Sequence, residues 1–295
     1  MINIDHSKLE PYISTARLST YNSFFSPASK IELFGCYLWG KEVAAAFFPL
    51  LQVLEVTLRN SIHNEASQAI GSYWFDNVTT KPVRHLSSAQ TRHISYLKKS
   101  IKDARNNIRR DLRLAASATV SEDRIIAKLP FGFWTNLFSA AFDVNRASNA
   151  LWPVLLRPIF PNAPRGARDR AIIQSKLLTI KNFRNKAFHH EPVWNIGRPA
   201  GIPEAIRKLL DTKGIILEII KWISLDSLEL VEKAGYVDTI NRICSAQYLE
   251  HLKHPGKDDK PFSLAKRELR KILRQKNYTT NITLNGVRIG RIIGK

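Results

Sequence analysis

The chain has 295 residues, of which 45 are Lys or Arg and 25 are Asp or Glu, for a formal net charge of +20. With 44% hydrophobic and 24% charged residues it has the apolar material for a packed core, which excludes global disorder, and its length suits one large domain or two small ones. The positive balance points to polyanion partners, nucleic acid before an anionic membrane surface, while two cysteines, Cys36 and Cys244, exclude a disulfide framework and cannot by themselves make a zinc site.

Residues 1–6 carry neither a basic n-region nor an apolar h-region, and no window of about 18 apolar residues is free of charge. A cytoplasmic chain without membrane partners is expected. Most of the sequence reads as helix, because Pro and Gly fall in clusters rather than at the short regular intervals of an all-β chain. Residues 7–19 form a short amphipathic segment, Pro27 marks a break, and 30–47 are apolar at helical period. Pro49 suits the first position of a new helix running to about residue 67, in which Leu50, Leu51, Leu54, Leu58 and Ile62 repeat. Residues 88–118 predict a long basic helix; the stretch 81–118 holds ten Lys/Arg against two Asp/Glu. The aromatic segment Leu129-Pro130-Phe131-Gly132-Phe133-Trp134 opens a helix to about residue 144, and the Pro-rich stretch 153–167 reads as a loop or broken turn. Helices follow over 167–190, 203–224, 226–235 and 236–253, the first stopped by Pro192. From residue 256 onward eleven Lys/Arg stand against three Asp/Glu. A basic helix is expected over 262–276, and Asn285-Gly286 between 280–284 and 287–292 is a strong hairpin signal. The expected fold class is mostly α, with 1–255 a helical domain and 256–295 a basic extension made of a helix and a small β-hairpin.

The densest chemistry lies in Phe183-Arg184-Asn185-Lys186-Ala187-Phe188-His189-His190-Glu191-Pro192. RNA can be cut without a metal when a base takes the 2′-OH proton and a cation stabilises charge on the phosphate in the transition state. An imidazole titrates near neutral pH, and a guanidinium grips two phosphate oxygens in a fork. At helical spacing Ile173, Leu177, Ile180, Arg184 and Ala187 share one stripe, so Arg184 interrupts an apolar face, where an unpaired charge is costly. Asn182, Asn185 and His189 share another stripe. Arg184 and His189 stand about 140° apart around an ideal helix. They converge only if the helix ends near His189 or if two copies of the motif face each other. The plain alternative is a helix C-terminus with histidines near its carbonyl ends and Arg184 in a structural ion pair. A second segment, Leu54-Glu55-Val56-Thr57-Leu58-Arg59-Asn60-Ser61-Ile62-His63, sets Glu55, Arg59 and His63 on one helix face. Read alone it is a Glu–Arg pair beside a solvated histidine. The order Arg-Asn followed closely by His occurs in both segments.

At these residues the chain resembles the Abi-like (AbiD/AbiF-type) abortive-infection family of the HEPN superfamily. The matching words are Tyr37-Leu38-Trp39, the segment 50–63, Tyr73-Trp74-Phe75, the aromatic segment 129–134, Leu151-Trp152 and the segment 184–192, which together span about residues 17–195. The last word carries the R-x4-6-H pattern of HEPN ribonucleases, with polar Asn185 directly after the arginine. The resemblance implies a HEPN-type helical bundle with added helices and a metal-independent endoribonuclease that needs no cofactor. It implies a composite site where two HEPN motifs meet, commonly in a homodimer, and products with a 2′,3′-cyclic phosphate and a 5′-OH. Carried over by residue, Arg184 would bind and stabilise the scissile phosphate, His189 would act as general base or acid, and Asn185 would orient one of them. His190 and Glu191 would support the site. Arg59-Asn60-Ser61-Ile62-His63 has a shorter gap between Arg and His than the pattern; Glu55, Arg59, Asn60 and His63 either join the site or support it. Such an effector of phage defence has to be restrained until infection, by an antitoxin RNA, an antitoxin protein or autoinhibition.

RNA phosphate contacts are expected from Lys98, Lys99, Lys102, Arg105, Arg109 and Arg110 on the basic helix and from Lys266, Arg267, Arg270 and Lys271 in the tail, against the default of solvated faces. Phe131, Phe133 and Trp134 could stack bases, although aromatics around Pro and Gly ordinarily anchor a core. No Gly-rich phosphate loop, H-E-x-x-H helix or G-x-S-x-G elbow occurs, which speaks against NTPase, metalloprotease and serine-hydrolase activities. The expected function is a toxin-like ribonuclease with RNA as substrate. The alternatives are a non-catalytic RNA-binding module and a DNA-binding regulator.

Overall fold

Apolar side chains recurring at helical spacing have to be buried by packing helix on helix. The computed structural model describes residues 6–145, 147–255, 259–261, 279–284 and 287–293, and the protein is mostly α-helical. Two compact units are formed: Met1–Leu50, Asn185–Gly214 and Val231–Lys295 make one, Leu51–Arg184 and Ile215–Leu230 the other.

In the first unit the expected segment 7–19 is divided into α1 (His6–Ile13) and α2 (Thr15–Phe25). Ser14, at φ 78°, breaks the helix, and its hydroxyl accepts from the backbone N–H of Arg17 at 3.4 Å. α3 (Lys30–Ile70) supplies its first turns to this unit. There Trp39 is fully buried, packs 5.8 Å from Phe25, and donates its indole N–H to the carbonyl of Ile243 at 2.8 Å. Trp194 completes the aromatic core, 5.4 Å from Tyr21 and stacked at 4.4 Å on Phe24. The expected helix 236–253 is two helices, α12 (Tyr236–Ile243) and α13 (Ala246–Lys253). The break falls at Ser245, whose hydroxyl caps α13 by accepting from the N–H of Tyr248 at 3.2 Å. Cys36 and Cys244 are buried free thiols, and burial pushes the pKa of each up to about 12.

Beyond α13 the hairpin strands are present as β2 (Thr279–Leu284) and β3 (Val287–Ile293), antiparallel, with Leu284 opposite Val287 and an irregularity in register between Ile282 and Thr283. An unanticipated short strand, β1 (Asp259–Pro261), pairs with β2 in parallel. The helix expected over 262–276 lies outside the described residues.

The second unit takes up the rest of α3. Pro49, in the last turn that α3 gives to the first unit, does not open a helix: α3 runs through it for 41 residues. An internal proline costs about 3 kcal/mol, but Phe47, Leu50, Leu54, Leu58 and Ile62 all lie fully buried along one continuous stripe, and that packing prevails. After α4 (Trp74–Asn77), α5 (Ser88–Asp111) opens on a capping box between Ser87 and Gln90. It ends earlier than expected, with Arg113 at φ 52° just beyond. α6 (Glu122–Lys128) was not expected, and the helix expected to reach residue 144 is only α7 (Phe131–Asn136) followed by a 3-10 turn at Ala140–Phe142. Phe131, Phe133, Trp134, Leu137, Phe138 and Phe142 are all buried, more than one helix face can hide, so the chain wraps instead. The stretch 153–167, expected as a loop or broken turn, contains one helical turn, α8 (Leu156–Ile159). α9 (Arg170–Phe188) is capped by Asp169, which accepts from the N–H groups of Ala171 and Ile172 at 2.8 and 3.0 Å. α10 (Ile202–Ile223), whose residues up to Gly214 belong to the first unit, and α11 (Leu225–Lys233), whose residues from Val231 do, match expectation within two residues at each end. Among the described residues no helix is long and apolar enough to cross a membrane.

Gly35 of α3 lies against the backbone of α13, where an added Cβ would sit 2.7 Å from the Cα of Lys253. Gly35→Ala is expected to lower stability by about 1–3 kcal/mol. Gly214→Ala, in α10 with nothing within 4 Å of the added carbon, should leave it unchanged or raised. Urea midpoints of the two variants check this.

Candidate functional site

Along α9, Ile173, Leu177 and Ile180 are fully buried, and Arg184 is next on their stripe. Its charge is answered by Glu55 of α3, with Nη2 3.7 Å from Oε2; the two side chains keep 27% and 29% of their surface exposed. Burial pushes the Glu55 carboxyl above its ordinary value, and the Arg184 and Arg59 charges pull back against that. The ion pair on Glu55 is thus made between helices, with Arg184, rather than along α3 with Arg59. Arg59 turns its Nε to Oδ1 of Asn60 at 3.0 Å.

His63 departs from the solvated histidine of the plain reading, since its side chain is only 18% exposed. Its Nδ1 accepts from the indole N–H of Trp74 at 3.1 Å, with the Ser67 hydroxyl 3.3 Å away. An indole N–H can only donate, so the neutral ring carries its proton on Nε2. Asp123 Oδ1 is 4.0 Å from that nitrogen, and Glu122 Oε1 is 3.9 Å from Nδ1. Trp74, Ser67 and Glu122 were not anticipated as partners of His63; of these only Ser67, four residues on along α3, sits where sequence spacing could have placed it.

The end of α9 is a built turn. The N–H of His189 bonds the carbonyl of Asn185 at 2.9 Å, that of His190 bonds Ala187 at 3.2 Å, and that of Glu191 bonds Lys186 at 2.9 Å. With His190 left-handed at φ 58°, the last two bonds are a Schellman closure. The helix therefore stops at His189, and both imidazoles are exposed. Lys186 and Glu191, at positions where an apolar contact often seals this motif, pair instead at 3.2 Å. The carbonyl of His190 accepts from Arg17 Nη1 at 2.7 Å and from Lys41 Nζ at 3.1 Å. Two cations thus gather at a helix C-terminus, where the macrodipole favours them. Burial, and then the charge of Arg17, lowers the pKa of Lys41. Sequence reasoning missed Arg17 and Lys41, which carry no local signal; the fold alone brings them to residue 190.

On α5, Lys98, Lys99, Lys102 and Arg110 are exposed. Arg105 makes a two-pronged pair with Asp76, and Arg109 Nε donates to the carbonyl of Ala118 at 2.9 Å. Lys266, Arg267, Arg270 and Lys271 lie outside the described residues. Phe131, Phe133 and Trp134 are no more than 2% exposed and belong to the core, so they offer no stacking surface.

Fold and geometry define a helical protein that carries arginine- and histidine-bearing polar segments on α3 and α9. A family model described as Abi-like protein matches residues 2–195, and the chain belongs to that family. Abortive infection is the role this membership suggests, and every residue from Glu55 to Glu191 named above lies within the matched span. No curated protein and no solved structure matches the chain.

Two outcomes follow from the geometry. Because the folded chain holds the Glu55 proton more tightly than the unfolded chain, whose value is near 4.5, that contribution to stability is full below about pH 4.5 and is lost as pH rises through the raised value. Wild type should therefore lose stability relative to Glu55→Gln between about pH 4.5 and neutrality; parallel melting curves across that range would contradict this. His190→Val should lower stability by about 1–2 kcal/mol, because a β-branched residue fits the left-handed region badly. His190→Gly should not, as urea titration of both variants will read.

Proposed function

We propose that the protein is a metal-independent HEPN-type endoribonuclease acting as a toxin-like effector in abortive infection. The observation that carries this reading is the closure of α9 at His189: the turn ends the helix beside the motif and leaves the imidazole exposed, with its backbone N–H already bonded. Membership of the Abi-like family supports it. In this reading Arg184 binds the scissile phosphate and stabilises its developing charge. His189 takes the 2′-OH proton as the 2′-oxygen attacks phosphorus, or returns a proton to the departing 5′-oxygen. Asn185 orients the reacting groups, and His190 and Glu191 fix the turn that presents His189. Glu55 holds Arg184 and Arg59 acts on Glu55 through its charge, while His63 supports α3 through Trp74. RNA is the substrate, a homodimer would bring two motifs together, and an antitoxin RNA or protein would restrain the activity.

A second reading, an RNA-binding module that does not cleave, is favoured by one observation: Arg184 already has a carboxylate partner in Glu55. Both readings predict binding that weakens steeply with salt, but only cleavage yields cyclic-phosphate ends. Purified protein incubated with RNA in EDTA should produce 2′,3′-cyclic phosphate and 5′-OH termini. His189→Ala and Arg184→Ala, with circular dichroism unchanged, should each lower the rate by about a hundredfold or more. Cleavage by both variants at the wild-type rate would sink the site assignment, and a strict metal requirement would sink the mechanism.

A further inference from the structure

The basic face of α5 borders a cavity of about 370 Å³ within the second unit, a size within the range of small-ligand sites. Its walls are of two kinds. Leu97, Ile101, Leu137 and Phe142 form a buried apolar floor, with Phe75 beside them. Lys98, Lys102, Arg105 and Arg109 recur on one face of α5 and line the same cavity.

The charges there do not balance. Asp76 is the one carboxylate among the lining residues, and it is taken by Arg105. Arg109 directs its Nε to the carbonyl of Ala118. Among the described residues neither Lys98 nor Lys102 has a carboxylate within ion-pair distance, and both are exposed. Asn106 and Thr80 add hydrogen-bonding groups to the lining. An apolar floor, two unanswered ammonium groups and an amide suit a ligand with an apolar ring at one end and a phosphate at the other.

We propose that this cavity binds a nucleoside phosphate, either as a free nucleotide or as one unit of an RNA strand, with the base over the apolar floor and the phosphate between Lys98 and Lys102. This narrows the general expectation of phosphate contact by the basic helix to two lysines and a defined cavity. It rests on the cavity and its charge, independently of any cleavage at Arg184 and His189.

Calorimetric titration of the full chain with AMP, and separately with a 5′-phosphorylated pentaribonucleotide, tests it. At least one of them should bind saturably. That binding should weaken roughly tenfold or more when Lys98→Ala and Lys102→Ala are combined. Ile94→Trp, which fills the apolar side and leaves the charge alone, should weaken it as well. Adenosine and inorganic phosphate, each offering half of the ligand, should bind more weakly than AMP if AMP is the ligand. Tighter binding of AMP would identify a free nucleotide, and tighter binding of the oligonucleotide a strand. If neither binds, or if the lysine double variant binds like wild type, the proposal is overturned. The lysine variants alter exposed side chains, so the test stands even if Ile94→Trp fails to fold. Binding is read without cleavage, which keeps this outcome separate from that of the ribonuclease test.

Discussion

Burying one face of α9 draws the Arg184 guanidinium in with it, and that charge has to be met from another helix. Glu55 meets it. The carboxylate is itself pushed toward its neutral form by burial, and the Arg184 and Arg59 charges oppose that push. Neither side chain is fully withdrawn from water, which limits what the pair adds to stability. Its larger effect is orientation: it ties the polar residues of α3 to α9, although the two segments lie far apart in the chain. A side chain held this way can present a guanidinium edge in one direction rather than sweeping through many.

The end of α9 is governed by a different constraint, the unsatisfied carbonyls that every helix leaves at its C-terminus. Here they are met by backbone N–H groups from a left-handed turn, and the last carbonyl of that turn by two cations from other helices. The result is a fixed exit from the helix with two imidazoles facing water. On α5 the same residue types serve two ends. Arg105 and Arg109 are engaged with Asp76 and with the chain at Ala118, while Lys98 and Lys102 line the cavity with no carboxylate among the described residues within ion-pair distance.

Much of the helical order was legible because local signals agreed with one another. α9, α10 and α11 combine helical periodicity with caps or stops, and the start of α5 carries its own capping box. The failures share one cause. Pro49 looks like a helix start in any short window, yet buried residues on both sides of it carry α3 through. The residues around Phe133 look like one helix until the number of aromatic side chains needing burial is set against one helix face. Ser14 and Ser245 interrupt segments whose apolar pattern is continuous, because each hydroxyl caps the helix that follows it. The aromatic words of the chain mark its cores, and only their burial separates that role from base stacking.

The sequence by itself determined which residues are charged on otherwise apolar helix stripes, where α9 would run out, and that the chain carries a surplus of positive charge suited to polyanions. It also set out the Arg, Asn and His residues of both polar segments. Only the tertiary structure decided that Glu55 faces Arg184, that Trp74 holds His63, that Arg17 and Lys41 converge on the carbonyl of His190, and that Lys98 and Lys102 overlook a cavity. Periodicity and capping are properties of a few neighbouring residues and can be read from a short stretch of chain. The partner of a charge or a carbonyl is chosen by whichever distant segment packs against it, and that choice is made by burial summed over the whole unit.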